Sequence, residues 1–258
     1  MAIPIKNRVE IEKMRVSCRL AADVIEMITP YVKEGISTEE LNDICHDYIV
    51  NFQNAIPAPL NYHGYPASIC TSINEVVCHG IPSKAQILKS GDIINIDVTV
   101  LKDGYHGDTS VTFLIGEVSE ENKKLVNVTQ HCLYEAIKML KPGVKLGDVG
   151  YHIQSIAHSN GYGVVRDFCG HGIGRKFHED PQVLHYGAKN TGTVLKEGMT
   201  FTIEPMINIG KYHVEVSRKD NWTVTTKDRK NSAQFEHTVL ITSTGHEVLT
   251  LRKNEKIN

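Results

Sequence analysis

The sequence lacks the features that would place the chain in a membrane, in an oxidising compartment or on nucleic acid. No apolar run comes near the roughly 20 residues that a membrane-spanning helix needs, and residues 1–6 lack the apolar core of a secretory signal. The net charge is −2 and the longest basic clusters are pairs such as Lys123-Lys124, so no nucleic-acid face is predicted. The six cysteines include no Cys-x-x-Cys spacing. We therefore expect reduced thiols in a cytoplasmic protein that binds neither membrane nor nucleic acid.

Two parts of the chain repeat the same short motifs in the same order. Residues 89–97 and 196–204 both run Lys-x-Gly, then four residues, then Ile and an acid. Residues 32–36 resemble residues 140–144, and each follows a segment with the apolar spacing of a helix. Because the matches keep their order, they indicate an internal duplication.

This duplication predicts an α+β fold with pseudo-two-fold symmetry. No Pro/Gly/Ser-rich linker separates the halves, so we expect a single catalytic domain over residues 1–258. Its pseudo-repeats would cover about residues 8–118 and 123–250. Each half would contribute a histidine and two carboxylates to a central site. The hydrophobic core would be divided between the two halves.

A predicted β-hairpin carries two aspartates on one face. Residues around Asp97 alternate with apolar residues, which is typical of a half-buried strand. Asp103-Gly104 is a turn signal, and residues 106–115 are expected to form the return strand. A two-residue loop would place Asp97 opposite Ser110 and leave Asp108 as its diagonal neighbour, whereas a longer loop or a bulge could set the two aspartates directly opposite.

Four carboxylates and one imidazole lie in segments that direct them to a common site. Glu204 ends an apolar strand before Pro205, and Glu236 lies in another apolar strand, where a carboxylate needs a partner that offsets its desolvation. The glycines around His171 predict a flexible tract where backbone can approach a ligand. Such a set suits two divalent ions that share carboxylates, whereas a structural zinc site favours thiolates. The candidate metal ligands are Asp97, Asp108, His171, Glu204 and Glu236.

The motifs that contain these residues resemble those of type I methionine aminopeptidase. The resemblance is carried by segments 74–82, 95–98, 107–109, 169–174, 202–205 and 234–238, and it extends nearly from end to end. It implies the family's "pita-bread" fold, a pseudo-symmetric α+β arrangement of a central antiparallel sheet flanked by helices. It also implies the family's reaction, removal of the N-terminal initiator methionine from polypeptides with a small second residue.

The resemblance further implies a role for each site residue. Asp108 and Glu236 would bridge two divalent ions (Mn²⁺, Fe²⁺, Co²⁺ or Zn²⁺), and a water activated by both ions would attack the scissile carbonyl. Glu204 would accept the proton of that water, and His178 would help to stabilise the oxyanion. His79 would contact the scissile amide nitrogen and assist proton delivery to the leaving amine.

Positions around the centre are assigned through the same resemblance. The methionine pocket falls on Tyr62, Tyr65, Cys70, Phe177 and Trp222, beside the substrate-contacting His79 and His178. A monovalent cation, Na⁺ or K⁺, would bind near Asn74, Val76 and Ser232. Pro59 stands at the pocket rim, where some relatives carry cysteine. The expected partners are the N-terminal segments of nascent or finished polypeptides and, transiently, the ribosome; the expected state is a monomer.

Two alternatives stay open at this point. A proline-directed aminopeptidase or prolidase uses similar ligands, but such relatives usually carry an additional N-terminal domain, and the soft, aromatic pocket predicted here favours methionine. A non-catalytic pita-bread binding protein should have replaced one or more metal ligands, whereas all five are present here together with His79 and His178.

Overall fold

The computed structural model describes residues 3–257, in which helices and antiparallel strands follow each other in two similar series. The four α-helices are α1 (Arg8–Ile28), α2 (Thr38–Asp47), α3 (Glu120–Lys138) and α4 (Leu146–Ser159). The strands are β1 (Ile56–Pro57), β2 (Cys70–Ile73), β3 (Val76–Cys78), β4 (Ile93–Lys102), β5 (Tyr105–Leu114), β6 (Gly163–Val164), β7 (Gly170–Gly172), β8 (Glu179–Val183), β9 (Thr200–Ile203), β10 (Met206–Asn208), β11 (Val214–Val216), β12 (Val224–Thr226), β13 (Ser232–Gln234), β14 (Glu236–Ile241) and β15 (His246–Val248). No helix within the described residues is both long and apolar enough to cross a membrane.

Local sequence determines where the helices of the first half begin. Asn7 accepts a hydrogen bond from the Glu10 N–H at 3.1 Å, and the Glu10 carboxylate accepts one from the Asn7 N–H at 3.0 Å. Ser37 and Glu40 form the same reciprocal capping box at the start of α2. Each box satisfies N–H groups that the first turn of a helix leaves without partners.

The main sheet joins the two halves of the chain through one strand pair. Its nine strands follow the order β1-β4-β5-β14-β9-β7-β8, with β2 added on β4 and β15 on β14, and each of these pairs is antiparallel. In the order across the sheet, β5 is the last strand from the first half of the chain and β14 is the first strand from the second half. We call this β5–β14 pair the seam.

Equivalent loops of the two halves make equivalent hydrogen bonds. The Gly35 N–H donates to the Leu88 carbonyl at 2.9 Å, and the Gly143 N–H donates to the Leu195 carbonyl at 2.9 Å. Both glycines have positive φ, 91° and 92°, where a side chain would be strained. The loops that resembled each other in sequence therefore have the same conformation, which supports the pseudo-two-fold relation.

Each half also has its own hydrophobic core. One buried cluster contains residues between Ala21 and Ile115, and the other consists mostly of residues between Val118 and Ile241. Helices α1 and α2 pack with the first, and α3 and α4 with the second. The helices thus flank the sheet and leave the strand face that carries polar residues for the site.

The β4–β5 hairpin has the register that a two-residue Asp103-Gly104 loop requires. Asp97 is opposite Ser110, and Asp108 is opposite Thr99, so the two aspartates are diagonal neighbours. The return strand begins at Tyr105 and ends at Leu114, one residue earlier at each end than predicted, because the tight turn allows Lys102 to pair with Tyr105 at once.

Gly107 allows α1 to lie directly on β5. A Cβ at this position would lie 2.3 Å from the Cys18 backbone nitrogen, closer than any side chain can approach. We expect Gly107→Ala to lower the free energy of unfolding by about 1–3 kcal/mol or more, because the helix must shift away from the sheet. Urea denaturation measures the loss. Gly245→Ala is the matched control, since an added Cβ there meets no atom within 4 Å, and an equal loss in both variants would contradict the packing argument.

Candidate active site

Five neighbouring strands of the main sheet each bring one of the predicted metal ligands to the same face. In sheet order the ligands are Asp97 on β4, Asp108 on β5, Glu236 at the start of β14, Glu204 immediately after β9, and His171 on β7. Ser110 of β5 faces Asp97 on one side and Glu236 on the other, so these residues lie at one level across three strands. Residues scattered over 140 positions of sequence therefore converge because their strands are neighbours.

The side chain of His171 is oriented with one ring nitrogen toward the carboxylates. Its Nδ1 lies 2.9 Å from the Gly172 carbonyl oxygen, so this nitrogen carries the hydrogen and Nε2 keeps a lone pair. Nε2 lies 3.8 Å from Asp108 Oδ2 and 3.6 Å from Glu204 Oε1. Burial lowers the pKa of His171 to about 4, so the ring is neutral near pH 7.

Glu204 is held by three neighbouring side chains. The Thr202 hydroxyl donates to Oε1 at 2.8 Å, and the Gln234 amide donates to Oε2 at 3.1 Å. The Glu204 N–H donates to His185 Nε2 at 3.1 Å. The strand ends at Ile203, one residue before the predicted end, and His185 replaces the strand partner that the Glu204 backbone has lost.

The electrostatics of the five residues fit divalent cations. Burial raises the pKa of all four carboxyl groups, and neighbouring negative charges raise those of Asp108, Glu204 and Glu236 further. Asp97 Oδ1 and Glu236 Oε1 are buried and have no hydrogen-bond donor. Such atoms need a partner, and the lone pair of a neutral histidine would repel two nearby carboxylates. A cation bound among these residues would be a partner for the two oxygens and would offset the repulsion.

A tighter subset meets the geometric requirement for one ion. Asp108, His171 and Glu236 each offer a ligand atom, and these atoms lie within 4.8 Å of one another. Asp108 is oriented by the Thr99 hydroxyl, which donates to its Oδ1 at 2.7 Å. Oriented ligands with satisfied outer partners are typical of metal sites in proteins.

The glycines beside His171 have a different role from the predicted one. Residues 170–172 form strand β7 and are buried, so the tract is not a flexible loop. A Cβ on Gly170 would lie 2.5 Å from the Thr202 carbonyl oxygen, and one on Gly172 would lie 2.1 Å from the Asp180 carbonyl oxygen. The glycines therefore allow neighbouring strands, not a ligand, to approach the backbone closely.

A single cavity of about 260 Å³ is lined both by the five residues and by apolar and aromatic side chains. All of the residues predicted to recognise methionine line it, namely Tyr62, Tyr65, Cys70, Phe177 and Trp222. Pro59 lines it as well, as expected for the rim. The ring of Tyr65 packs edge-on against Trp222 with centroids 5.2 Å apart, and Tyr62 contacts Phe177 at 5.0 Å. The cavity suits a flexible apolar side chain that lies beside a charged centre.

Two neutral histidines line the same cavity. His178 Nδ1 lies 2.7 Å from the Tyr62 hydroxyl oxygen, and burial lowers the pKa of His178 to about 3. His79 adopts a left-handed φ of 56°, and its ring contacts Trp222 with centroids 5.9 Å apart. Burial lowers the pKa of His79 to about 4. Both rings are thus neutral near pH 7, and each can donate or accept one hydrogen bond.

The outer partners of the ligands were not predicted, although a sequence signal existed for most of them. Thr99 is two residues after Asp97, Thr202 two before Glu204, and Gln234 two before Glu236, so strand alternation places each on the face of a ligand. No periodicity indicates His185, because it follows strand β8 and reaches Glu204 through the fold.

Comparisons with known proteins agree with this geometry. Residues 12–243 match metallopeptidase family M24. The chain belongs to that family. Within it the chain groups with the methionine aminopeptidases: it is 60% identical to the methionine aminopeptidase of Escherichia coli K12 over 257 residues, 100% of this chain and 97% of that one. It is 56% identical to the Haemophilus influenzae methionine aminopeptidase over 256 residues, 99% of this chain and 95% of that one.

Solved structures of M24 proteins have the same fold. The methionine aminopeptidase of Rickettsia prowazekii superposes with a TM-score of 0.95 at 53% identity, covering 97% of this chain and 100% of that one. A prolidase from Pyrococcus furiosus superposes with a TM-score of 0.77 at 25% identity, and the match covers 98% of this chain and 66% of that one. The pita-bread α+β fold is therefore confirmed, and the likeness to proline-directed enzymes is distant.

Proposed function

We propose that the chain hydrolyses the first peptide bond of polypeptides that begin with methionine. The observation that carries this proposal is the joining of a buried carboxylate–histidine centre and an apolar, aromatic pocket in one cavity. The high identity to methionine aminopeptidases over the whole chain supports it. The substrates would be the N-terminal segments of nascent or finished polypeptides, with preference for a small second residue.

A divalent metal is the cofactor that family M24 and the buried acids together imply. We propose two ions, from among Mn²⁺, Fe²⁺, Co²⁺ and Zn²⁺, with Asp108 and Glu236 shared between them. When bound, such ions supply Lewis acidity that lowers the pKa of water and polarises a carbonyl group. The residues that would hold them are Asp97, Asp108, His171, Glu204 and Glu236.

Three side chains would manage the protons and the carbonyl oxygen. The Glu204 carboxylate is oriented by Thr202 and Gln234, which suits it to accept a proton from the attacking water and release it later. His178 is positioned by Tyr62 and would donate a hydrogen bond to the scissile carbonyl oxygen as it becomes negative. His79 would hydrogen-bond the scissile amide nitrogen and assist delivery to the leaving amine of the proton that Glu204 releases, because a neutral imidazole can accept a proton at one nitrogen and donate one from the other.

Phe177 tests the recognition of the methionine side chain. We expect Phe177→Ala to lower kcat/KM for Met-Ala-Ser by about 10–100-fold, because the pocket loses a large apolar wall. Metal content should stay unchanged, since Phe177 lines the pocket and offers no ligand atom. The measurement is the ratio of kcat/KM for Met-Ala-Ser to that for Ala-Ala-Ser. Phe52→Ala is the control, because Phe52 is 75% exposed; an unchanged ratio in Phe177→Ala would remove this residue from the pocket.

A monovalent cation site near Asn74, Val76 and Ser232 stays a proposal. The Ser232 N–H donates to the Asn74 carbonyl at 2.9 Å, so two of these residues are neighbours, and each carbonyl oxygen has a second lone pair. We also propose a single catalytic domain with repeats at about 8–118 and 123–250, acting as a cytoplasmic monomer with transient access to ribosomes.

Release of free methionine from two tripeptides tests the proposed reaction. With Mn²⁺ or Co²⁺ present, Met-Ala-Ser should be cleaved and Met-Lys-Ser should not. Cleavage of a Gly-Pro or Xaa-Pro-Pro peptide without cleavage of Met-Ala-Ser would assign the chain to the proline-directed enzymes. Turnover of neither kind would indicate a binding protein.

A further inference from the structure

The residues that follow the last strand pack on the face of the seam opposite the candidate metal centre. We call Leu249–Glu255 the clasp. The seam is short: its registered pairs are Glu236 with Ser110 and His237 with Thr109. Side chains alternate along a strand, so Asp108 and Glu236 face the centre while Thr109 and His237 face the clasp.

Glu255 is the centre of a largely buried hydrogen-bond network on that face. Its side chain is 7% exposed and accepts hydrogen bonds from the Tyr134 hydroxyl and from the Arg252 guanidinium. His237 Nε2 lies 3.1 Å from the same carboxylate, and His237 Nδ1 lies 2.9 Å from the Thr250 hydroxyl oxygen. One neutral tautomer of His237 satisfies both contacts, with Nε2–H donating to Glu255 and the Thr250 hydroxyl donating to Nδ1.

Glu255 is ionised near pH 7. Burial raises its pKa, but the hydrogen bond from His237 and the positive charge of Arg252 outweigh burial, and the pKa of Glu255 is about 2. An ionised carboxylate that is buried and multiply bonded holds its donors strongly, because each of these hydrogen bonds is charge-assisted.

The network reaches both strands of the seam and both halves of the molecule. Arg252 Nη1 donates to the Thr109 hydroxyl at 3.4 Å, and that hydroxyl donates to the Glu236 carbonyl at 2.7 Å. The Lys253 N–H donates to Glu26 of α1 at 2.8 Å, whereas Tyr134 belongs to α3. The clasp therefore connects a first-half helix, a second-half helix and the strands that carry two ligands.

We propose that the clasp is a positioning element for the metal centre, and that Glu255 is its principal residue. The clasp packs on the opposite face of the seam and so fixes the distance between Asp108 and Glu236. These are the two carboxylates proposed to be shared between the ions. Loosening the seam should weaken metal binding before it unfolds the chain. This inference rests on the proposed metal site.

Metal affinity measured against a matched control tests the clasp. Mn²⁺ dissociation constants of the metal-stripped full chain would be measured by calorimetry, with the Co²⁺ visible absorption spectrum as a report on coordination. Direct outer partners of ligands contribute about 10–100-fold in affinity, and Glu255 acts on the ligands only through His237 and Arg252. We therefore expect Glu255→Gln to weaken Mn²⁺ binding about 10-fold, at the lower end of that range, and to alter the Co²⁺ spectrum. Glu247→Gln is the control: Glu247 binds Arg15 at 2.6 Å and anchors β15 to α1, and its partner on β14 is Leu240, which lies outside the registered pairs of the seam.

Each outcome bears on the proposal. Weaker binding in Glu255→Gln with unchanged binding in Glu247→Gln supports a positioning role. Wild-type affinity and spectrum in a folded Glu255→Gln, or equal losses in both variants, would overturn it and leave the clasp a stability element. If Glu255→Gln does not fold, Thr109→Val removes the hydroxyl that links Arg252 to the Glu236 carbonyl, and it should weaken binding about 3–10-fold by the same argument. Unchanged binding in that variant would also overturn the proposal. A wild-type chain that binds no divalent metal would refute the proposed metal site, and the inference with it.

Discussion

Glu236→Gln should abolish turnover and, in the metal-free protein, should raise stability. The substitution keeps the shape of the side chain but removes a ligand charge, so we expect metal affinity to fall by about 100-fold or more, beyond the loss typical of outer partners. Metal-free wild-type protein holds four buried carboxyl groups, and neighbouring negative charges raise the pKa of Asp108, Glu204 and Glu236. Removing one relieves their repulsion, and about 1 kcal/mol of relief would raise the Tm by about 2–4 °C.

This prediction is specific because turnover should fall while the stability of the metal-free protein should rise. Thermal melts with and without Mn²⁺, together with methionine release, would be recorded for both proteins. Metal should raise the Tm of the wild type and leave that of Glu236→Gln nearly unchanged. A variant that is less stable than wild type without metal would contradict the repulsion argument. A variant that still gains stability and activity from metal would show that Glu236 is not a ligand.

His79→Ala should lower kcat while leaving the metals bound. General acid catalysis contributes about 10²–10⁴-fold, and we expect a loss within that range because the leaving amine would have to take its proton from water. His79 lines the cavity beside Trp222 and is not among the ligand atoms that cluster around Asp108. Metal content by elemental analysis should therefore equal that of wild type.

His131→Ala is the matched control for His79→Ala. His131 lies on α3 with 58% of its side chain exposed, so its removal should change neither kcat nor metal content. A parallel loss of metal in His79→Ala would make His79 a ligand, and wild-type kcat with normal metal content would exclude it from proton transfer.

Strand alternation and turn chemistry predicted the parts of this molecule that depend on local sequence. Asp103-Gly104 determined the hairpin register, which placed Asp97 opposite Ser110 as expected. The same alternation places Thr99 and Gln234 on the face of the ligands. The motifs around the five candidate ligands resemble those of methionine aminopeptidases, and the comparisons confirm this family.

Long-range packing supplied what the sequence could not predict. The glycines around His171 suggested flexibility, but their place between β8 and β9 makes them part of a buried strand. Arg252 reaches Thr109 across 143 positions of sequence. His185 likewise supports Glu204 only because the two segments lie side by side. Such contacts depend on which strands become neighbours, and no periodicity in the chain encodes that order.

Metal dependence of methionine release tests the central claim most directly. The chain would be stripped with a chelator, and release of methionine from Met-Ala-Ser would be followed as Mn²⁺ is returned. We expect no release from the stripped protein, recovery in the wild type as metal binds, and none in Glu236→Gln. Full release by the stripped protein, or equal recovery in the two proteins, would contradict a metal-dependent aminopeptidase built on these residues.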